Sequence, residues 1–475
     1  MNAENPDNTE LRKAFDHQRR QFGIQPHPPY DLRKDRLNRL LALTENHADE
    51  VSAAISADFG HRSAQETQLA EILLIAGSIK HARRSLRKWM RTRRARTALH
   101  FLPGSSRIIR QPLGVVGVVA PWNYPYQLTM GPTVSAIAAG NRVMIKPSEL
   151  TPRFSALLKS LVARYYSADE ITVVTGGADV GEAFCQLPFD HLVFTGSTAV
   201  GRSVAQSAAR NLTPVTLELG GKSPAIIDAD CAVEVIAPRL AMGKLWNAGQ
   251  TCIAPDYVLV HESRQSDLVD ALRRAVRRLF PTLGRNPDYT SVVDQRHFDR
   301  LSGIISDATE KGARVERLTN DAEDAPDGQL RMAPILLLNV RDDMRVMREE
   351  IFGPILPILS YQNLDEAIHF VNSRDRPLAL YWFGHNPRNR DRVLHETISG
   401  GVTINDCIWH FAQEDLPFGG VGASGSGVCH GEWGFRALSK EKPVFTQRRL
   451  SALPLLYPPY GRVFSLMLKV LRRLM

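Results

Sequence analysis

Apolar residues in the first part of the chain recur at helical spacing. Three groups fit successive helix faces: Leu11, Phe15 and Phe22; Leu37, Leu40 and Leu41; and Leu69, Ile72, Leu73 and Ala76. Spacing of this kind is typical of helices that bury one side. The pattern therefore predicts a helical lead-in over residues 11–79, in which no catalytic chemistry is visible.

From about Gly114 the pattern changes to short β-branched runs separated by helical stretches. Five runs are predicted strands: residues 115–119, 143–145, 171–174, 191–194 and 215–217. Strands that alternate with helices indicate βαβ units and a parallel sheet covered on both faces. A second α/β unit begins near Ala225 and runs to about Gly401, with a basic surface helix over 268–279 and an exposed acidic loop over 321–327. The chain is thus predicted to be an α/β protein whose ligands bind beyond the carboxyl ends of the strands.

In the final segment, charged and apolar residues separate on a helical wheel. The polar arc holds Arg462, Ser465, Lys469, Arg472 and Arg473. The other positions are apolar: Val463, Phe464, Leu466, Met467, Leu468, Val470, Leu471, Leu474 and Met475. Such a helix is about 20 Å long, too short to cross a bilayer. Docking on the chain itself or on a partner subunit is the preferred interpretation, and peripheral contact of residues 462–475 with an anionic membrane is the alternative.

Length and cysteine usage narrow the class of protein. A chain of 475 residues predicts two or three domain-sized units. The five cysteines are odd in number and scattered, without CxxC or Cys/His ligand spacing, so we expect neither a disulfide framework nor a metal site. This usage, together with a polar N-terminus that has no apolar signal segment, predicts a cytoplasmic protein.

The net charge of +9 is unevenly distributed. Eight basic residues lie between Arg83 and Arg96, and Trp89 is the one aromatic residue among them. Nucleic-acid binding normally combines positive charge with stacking partners. A solvated helix face or a subunit contact is therefore preferred, and we expect no nucleic-acid partner.

Three stretches carry candidate chemistry. Cys252 lies in a polar, glycine-containing turn before the apolar run 257–260, and a thiolate is the best nucleophile among ordinary side chains. Glu218 lies in an apolar stretch, where desolvation raises a carboxyl pKa and suits it to general base catalysis. Asn123 stands between two prolines and is a plausible fixed donor to an oxyanion. Taken singly, each has a simpler interpretation: an inert buried cysteine, an ion-paired glutamate and an asparagine that caps a turn.

Together these stretches resemble the aldehyde dehydrogenase superfamily in order and spacing, from about residue 30 to about residue 445. The sequences of the motifs are similar to those of the class 3 branch. Residues 189–194 and 250–257 are most similar to bacterial coniferyl aldehyde dehydrogenases. The resemblance implies that Cys252 is the nucleophile, Glu218 the base and Asn123 the oxyanion donor. It also implies a Rossmann-type cofactor domain, an α/β catalytic domain and a small bridging sheet used in oligomerisation.

The implied domain division follows these parts. An NAD-binding domain with its helical lead-in covers residues 1–82 and 103–220, and a catalytic domain covers 221–401. Bridging segments cover 83–102 and 402–448, and an amphipathic tail covers 449–475. Class 3 relatives suggest a homodimer.

Two loops at predicted strand ends suit a dinucleotide. Lys146 and Glu149 could both bind ribose hydroxyls, and a carboxylate near the 2′ position favours NAD over NADP. The loop from Gly196 to Gly201 leads into a helix whose N-terminus can face a pyrophosphate, although its glycine spacing is not GxGxxG and an ordinary helix cap would look the same. The resemblance supports both loops, allows NADP as a second cofactor, and places Glu350 on the nicotinamide ribose and Phe352 near the ring. It adds five further cofactor contacts: Trp122, Ser148, Ser197, Leu219 and Gly220.

The predicted function is NAD(P)-dependent oxidation of an aldehyde to a carboxylic acid through a thioester on Cys252, which water hydrolyses with Glu218 as the base. Aromatic residues near the motifs suit an aromatic, coniferyl-type aldehyde or a long apolar one. A CoA-acylating relative is one alternative, and the presence of Glu218 argues against it. A catalytically silent binding protein on the same fold is the other.

Overall fold

The computed structural model describes residues 6–319 and 329–474. The acidic loop predicted over 321–327 lies outside the described residues, as does Met475 of the predicted tail helix. Within the described ranges, no helix is both long and apolar enough to cross a membrane.

The N-terminal part is helical, as its apolar spacing predicted. The helices are α1 (Pro6–Ile24), α2 (Tyr30–Asn46), α3 (Ala48–Asp58), α4 (Ala64–Thr67) and α5 (Leu74–Trp89). A π-helical turn, Gln68–Leu73, joins α4 to α5. Leu69 and Leu73 are exposed beside it, whereas Ile72 and Ala76 are buried. The prediction that these four residues share one face was wrong, because the i→i+5 hydrogen bonds of a π-turn break the 3.6-residue period.

A six-stranded sheet forms the first α/β unit. After β1 (Arg93–Ala95) and β2 (Ser105–Pro112), its elements are β3 (Val115–Val119), α6 (Gln127–Ala139), β4 (Arg142–Lys146), α7 (Pro152–Tyr165), β5 (Ile171–Val173), α8 (Ala178–Cys185), β6 (His191–Thr195), α9 (Thr198–Ala209) and β7 (Val215–Glu218). The five predicted runs coincide with β3 to β7, which pair in parallel in the order β7-β6-β3-β4-β5. Their carboxyl ends therefore meet at one edge of the sheet.

A seven-stranded sheet forms the second unit. Its elements are β8 (Pro224–Ile227), α10 (Val233–Leu245), β9 (Tyr257–His261), α11 (Gln265–Leu279), α12 (Gln295–Glu310), β10 (Arg314–Arg317), β11 (Ile335–Leu338), α13 (Arg345–Arg348), β12 (Ile355–Tyr361), α14 (Leu364–Asn372), β13 (Ala379–Phe383), α15 (Pro387–Glu396) and β14 (Gly401–Ile404). The strand order is β10-β11-β12-β9-β8-β13-β14, and β10 pairs antiparallel while the others pair in parallel. This sheet contains β9, the strand that follows Cys252.

The C-terminal segment returns to both earlier parts of the chain. It contains β15 (Gly425–Ser426), α16 (Gly431–Ala437), β16 (Ser439–Thr446) and α17 (Arg462–Leu474). Strand β15 pairs antiparallel with β7 and sets Gly425 opposite Glu218. Strand β16 pairs with β2, and β1-β2-β16 is a separate three-stranded sheet. The three sheets correspond to the two α/β units and the small bridging sheet that the resemblance implies. The domain boundary predicted at residue 82 falls inside α5.

Candidate active site

Cys252 lies in a tightly constrained loop between α10 and β9. Asn247 and Ala248 have left-handed backbone conformations, with φ of 53° and 52°. The buried side chain of Gln250 closes the loop: its amide donates to the Asn247 and Ser291 carbonyls at 2.9 and 3.0 Å, and its carbonyl accepts the Val293 N–H at 3.0 Å. The sulfur is therefore presented by a loop with little freedom to move.

The electrostatic setting of this thiol is unfavourable to ionisation. Burial, together with the nearby Glu350 and Glu218 carboxylates, raises the pKa of Cys252 to about 12. The thiol is thus protonated in this arrangement near neutral pH. The local help that a reactive thiolate requires has to come from proton transfer or from a positive charge brought to the site.

Glu218 is the last residue of β7 and is buried. Burial raises the pKa of its carboxyl to about 8, in the direction expected from its apolar surroundings. Neither carboxylate oxygen has a nitrogen or oxygen donor within the described ranges. The Cys429 thiol interacts with this carboxylate and opposes the rise in its pKa. A carboxyl group that lacks nitrogen and oxygen donors, contacts only a weakly donating thiol and titrates near pH 8 is well matched to accepting a proton from water.

Asn123 follows β3 and points its amide toward the Cys252 loop. Its Nδ2 donates to the Gln250 carbonyl at 3.1 Å. Its own backbone carbonyl accepts from Arg62 Nη1 at 3.1 Å and from Asn247 Nδ2 at 2.9 Å. A primary amide has two N–H groups, and only one of them is used by the residues that the structure describes. The second is free to donate to an oxyanion.

An apolar cavity opens at Cys252, which is one of its lining residues. Its walls include Leu74, Tyr124, Leu128, Trp246, Trp409 and Phe411. The rings of Trp246 and Trp409 meet edge to face, with centroids 5.9 Å apart. No charged side chain lines this cavity in the described part of the chain. It can therefore accept a flat or extended apolar group attached to the carbon that the sulfur attacks.

The predicted dinucleotide loops lie at the carboxyl ends of neighbouring strands. Lys146 ends β4, and its Nζ lies 3.4 Å from a carboxylate oxygen of the half-exposed Glu149. Ser148 is buried between them. On the opposite side of β3, Gly196 follows β6 and donates its N–H to the Glu218 carbonyl at 3.1 Å. One predicted cofactor loop is therefore attached directly to the strand of the candidate base.

The helix that begins after Gly196 has the capping and packing expected of its sequence. The Ser197 hydroxyl accepts the Val200 N–H at 3.4 Å and so serves as the N-cap of α9. A Cβ on Gly201 would lie 2.6 Å from the Leu219 side chain. The helix cap and the predicted phosphate contact are thus both compatible with this loop, and Leu219 packs beneath it.

Glu350 lies beside Gly220, and Phe352 packs against Trp122. Glu350 is partly buried, and its Oε1 atom is buried without a hydrogen-bond partner within the described ranges. Burial and the neighbouring Asp256 raise the pKa of Glu350 to about 7. A Cβ on Gly220 would collide with its carboxylate. The Phe352 ring, on a residue with φ of 51°, meets the Trp122 ring at 5.5 Å.

These features fit a nicotinamide dinucleotide. The unpaired Glu350 oxygen suits a ribose hydroxyl, and the Lys146 and Glu149 pair suits a second ribose. Gly201 and Gly220 allow the Leu219 and Glu350 side chains to approach the backbone closely. No cluster of three or more metal-ligating side chains occurs among the described residues.

The model of the aldehyde dehydrogenase family matches residues 1–444 of this sequence. The chain belongs to the aldehyde dehydrogenase family. It is an NAD(P)-dependent oxidoreductase that oxidises aldehydes.

Two curated relatives and one solved structure show how far the similarity extends. The probable coniferyl aldehyde dehydrogenase of Pseudomonas aeruginosa is 50% identical over 453 residues, 95% of this chain and 94% of the relative. The coniferyl aldehyde dehydrogenase of a Pseudomonas species (strain HR199) is 45% identical, over 97% of this chain and 96% of its own. The substrate-bound structure of Staphylococcus aureus AldH superposes with a TM-score of 0.91 at 39% identity, covering 97% and 99% of the two chains.

Sequence reasoning missed one group of residues at this aldehyde dehydrogenase site. Arg62, Glu66 and Glu71 contact the loops that carry Asn123 and Cys252. They stand in a stretch whose pattern is that of an ordinary charged helix, and only their burial distinguishes them. A buried charge is a property of tertiary packing, so no local pattern signalled it.

Proposed function

We propose that this dehydrogenase oxidises aromatic aldehydes of the coniferyl type, with NAD as the preferred cofactor. The observation that carries the proposal is the uncharged, aromatic-walled cavity that Cys252 lines and that neither Glu218 nor Glu350 lines. The similarity to two coniferyl aldehyde dehydrogenases along nearly the full chain supports the same substrate class.

In the proposed reaction, the Cys252 sulfur forms a bond to the aldehyde carbon. Its proton leaves to one of the two nearby carboxylates, Glu218 or Glu350, which are suited to accept it because burial raises their pKa values to about 8 and about 7. The carbonyl oxygen becomes an oxyanion that accepts from the free N–H of Asn123 Nδ2 and from the Cys252 backbone N–H. When bound, NAD supplies the acceptor for the hydride that leaves this carbon. The product on the enzyme is a thioester.

Hydrolysis then completes the cycle. The proton accepted during acylation is first released to solvent. Deprotonated Glu218 then takes a proton from water as the water oxygen attacks the thioester carbon, the C–S bond breaks, the Cys252 sulfur regains a proton from Glu218, and a carboxylic acid leaves. Among the described residues, no nitrogen or oxygen atom donates a hydrogen bond to the Glu218 carboxylate. Its oxygens are therefore free to accept the proton, which favours this role. A CoA-acylating reaction would instead yield a thioester as the released product.

For the cofactor, we propose that Glu149 gives the preference for NAD. A carboxylate near the 2′ position repels the additional phosphate of NADP. Lys146, Ser148, Gly196, Ser197, Gly201, Leu219, Gly220, Glu350, Phe352 and Trp122 would complete the binding cleft. Replacement of Glu149 by Gln should raise the efficiency with NADP relative to NAD.

A homodimer and a cytoplasmic location remain proposals that rest on the class 3 resemblance and on cysteine usage.

A further proposal concerns the tail helix α17. One face of α17, including Phe464 and Leu468, is half-buried and packs near the segments Leu453–Leu456 and Leu99–Phe101. The adjacent row, Val463, Leu466 and Val470, is exposed beside Arg462. We propose that this row makes a peripheral contact with an anionic membrane.

The test of the proposed function is a product and substrate assay. The purified protein would be given NAD and either a cinnamyl-type aldehyde, benzaldehyde or a long aliphatic aldehyde, with and without CoA. We expect NADH and a free carboxylic acid, with the highest kcat/KM for the cinnamyl-type substrate. A CoA thioester as the product, or a clear preference for the aliphatic aldehyde, would contradict the proposal.

A further inference from the structure

The segment that carries Asn123 is held by a buried ion pair that no step of the proposed reaction uses. The side chains of Arg62 and Glu71 are both 0% exposed, and Arg62 Nη1 lies 2.7 Å from Glu71 Oε1. The same Nη1 donates to the Asn123 carbonyl at 3.1 Å. Oε2 of Glu71 accepts the backbone N–H groups of Tyr126 and Gln127 at 2.7 and 3.1 Å. The pair thus holds both ends of the short turn between β3 and α6.

A second carboxylate from the same helical stretch holds the nucleophile loop. Glu66 Oε1 accepts the Asn247 N–H at 3.1 Å, and Oε2 accepts the Thr290 hydroxyl at 2.6 Å. Asn247 in turn donates from Nδ2 to the Asn123 carbonyl at 2.9 Å and to the Gln250 carbonyl at 3.2 Å. The Asn123 carbonyl therefore receives one donor from the loop between α3 and α4 and one from the loop that presents Cys252.

The π-helical turn accounts for the reach of this short stretch. Glu66 and Glu71 are five residues apart, a spacing at which side chains on a regular α-helix point in divergent directions. Hydrogen bonding from i to i+5 widens the turn, so that both carboxylates can face the two catalytic loops. Single π-turns occur frequently at functional sites, which agrees with this placement.

Stability alone does not explain why a charged pair occupies this position. Replacement of a buried ion pair by apolar side chains of similar volume is often neutral or stabilising. Arg62 also leaves Nε and Nη2 without hydrogen-bond partners within the described ranges, and its guanidinium instead lies 4.8 Å from the Tyr124 ring centroid. What the pair provides is a fixed geometry: charged, directional contacts to the backbone on both sides of the oxyanion donor.

We propose that Arg62, Glu66 and Glu71 are positioning residues that set the Asn123 amide relative to the Cys252 sulfur. The inference rests on the proposed role of Asn123 as oxyanion donor. Because none of the three lines the cavity at Cys252, they act through Asn123 and through the loop of Cys252. A misplacement of about 1 Å at such a donor can lower a rate by about a hundredfold.

The test is a double-mutant cycle on the rate of NADH formation in a single turnover, with enzyme in excess over the aldehyde. Four proteins would be compared: the native protein, Arg62→Met/Glu71→Gln, Asn123→Ala, and the combination. The paired substitution removes both members of the ion pair, and the new amide side chain keeps an acceptor for the two N–H groups, so the protein should fold with a near-native Tm. We expect the paired variant to be slower by about tenfold to a hundredfold, and the combination to be no slower than Asn123→Ala alone.

A matched control uses a remote ion pair of similar burial. Arg36 Nε lies 2.9 Å from Glu170 Oε1, with side-chain exposures of 4% and 12%. Arg36→Met/Glu170→Gln should leave the single-turnover rate at the native value. Rate losses that multiply in the combined variant, or a native rate in Arg62→Met/Glu71→Gln, would overturn the inference. A native protein that forms no NADH would instead overturn the proposed function.

Should the paired variant fail to fold, Glu66→Gln provides an independent test. It retains the geometry of an acceptor but weakens the contact to the Asn247 N–H. The inference expects a slower single turnover with an unchanged KM for NAD, and again no further loss when Asn123→Ala is added. A change in Tm with no change in that rate would show a purely structural role and would refute the inference.

Discussion

The two sides of Cys252 differ in almost every physical respect. The titratable side consists of two carboxyl groups, Glu218 and Glu350, whose pKa values burial raises to about 8 and about 7. On the other lies a cavity walled by apolar and aromatic side chains, with no charged lining within the described ranges. In the proposed mechanism, the carboxyl groups move protons and the apolar cavity selects the substrate.

The two sides also have different structural origins. The titratable side is built on strand ends and the turns that follow them, as Glu218 at the end of β7 illustrates. The apolar side is assembled from separate elements: Leu74 from α5, Leu128 from α6, Trp246 after α10 and Trp409 from the loop after β14. The reacting groups are held in place by sheet topology, whereas the shape of the substrate cavity depends on how distant helices pack.

The largest effect should come from removing the Cys252 sulfur. Cys252→Ala should lower the rate of NADH formation by about four orders of magnitude, because no other group can form the thioester. Steady-state kinetics with a cinnamyl-type aldehyde would measure this. Cys231→Ala, which removes a buried cysteine from the catalytic unit, should retain near-native activity. A comparable loss in both variants would show that the effect is structural.

Next in size is the loss of the base on the titratable side. Glu218→Gln should lower kcat by about a hundredfold to a thousandfold, because general base catalysis of hydrolysis is lost. The remaining carboxylate, Glu350, can still accept a proton during acylation, so a burst of one NADH per active site should persist. Stopped-flow absorbance would separate the burst from turnover. If the burst disappears as well, Glu218 acts in acylation and not mainly in hydrolysis. Glu262→Gln, at an exposed position, serves as the control.

The pH dependence should report the same carboxyl group. Since Glu218 must be deprotonated to act as a base and its pKa is about 8, the hydrolysis rate should fall about tenfold per pH unit below pH 8. Cys429→Ala removes the thiol that opposes the rise in this pKa. The acidic limb of the pH–rate profile should therefore move to higher pH. Measurements of kcat from about pH 5.5 to about pH 9.5 would test both statements. A limb that moves to lower pH in Cys429→Ala would contradict the role assigned to this thiol.

The smallest expected effect tests the apolar side. Trp409→Ala should lower kcat/KM for an aromatic aldehyde by about tenfold, since loss of part of a hydrophobic pocket is worth about 1–3 kcal/mol. Activity with acetaldehyde should change little, because a two-carbon substrate does not reach the wall. Trp433→Ala, at a similarly exposed tryptophan (40% against 42%) that does not line the cavity, is the matched control. Equal losses with both aldehydes would place Trp409 outside substrate selection.

Much of the fold followed from local patterns. The predicted runs coincide with β3 to β7 because strands buried on both faces are nearly continuous in apolar residues. The helical lead-in was also predicted, but the exposure of Leu69 and Leu73 was not, because the π-turn between α4 and α5 has no distinct sequence period. The tail was predicted as an amphipathic helix, and the structure places a helix at Arg462–Leu474.

The sequence by itself was enough to assign the family and to predict the reacting groups. Asn123, Glu218 and Cys252 each lie in a short stretch whose prolines, glycines and flanking apolar runs specify a turn at a strand end, and such local rules act within a few residues. Only the tertiary structure decided the pKa of Cys252, the partners of Arg62 and the walls of the cavity. Each of these depends on burial and on contacts between residues far apart in the chain, and free energies of desolvation are set by that packing and not by sequence neighbours.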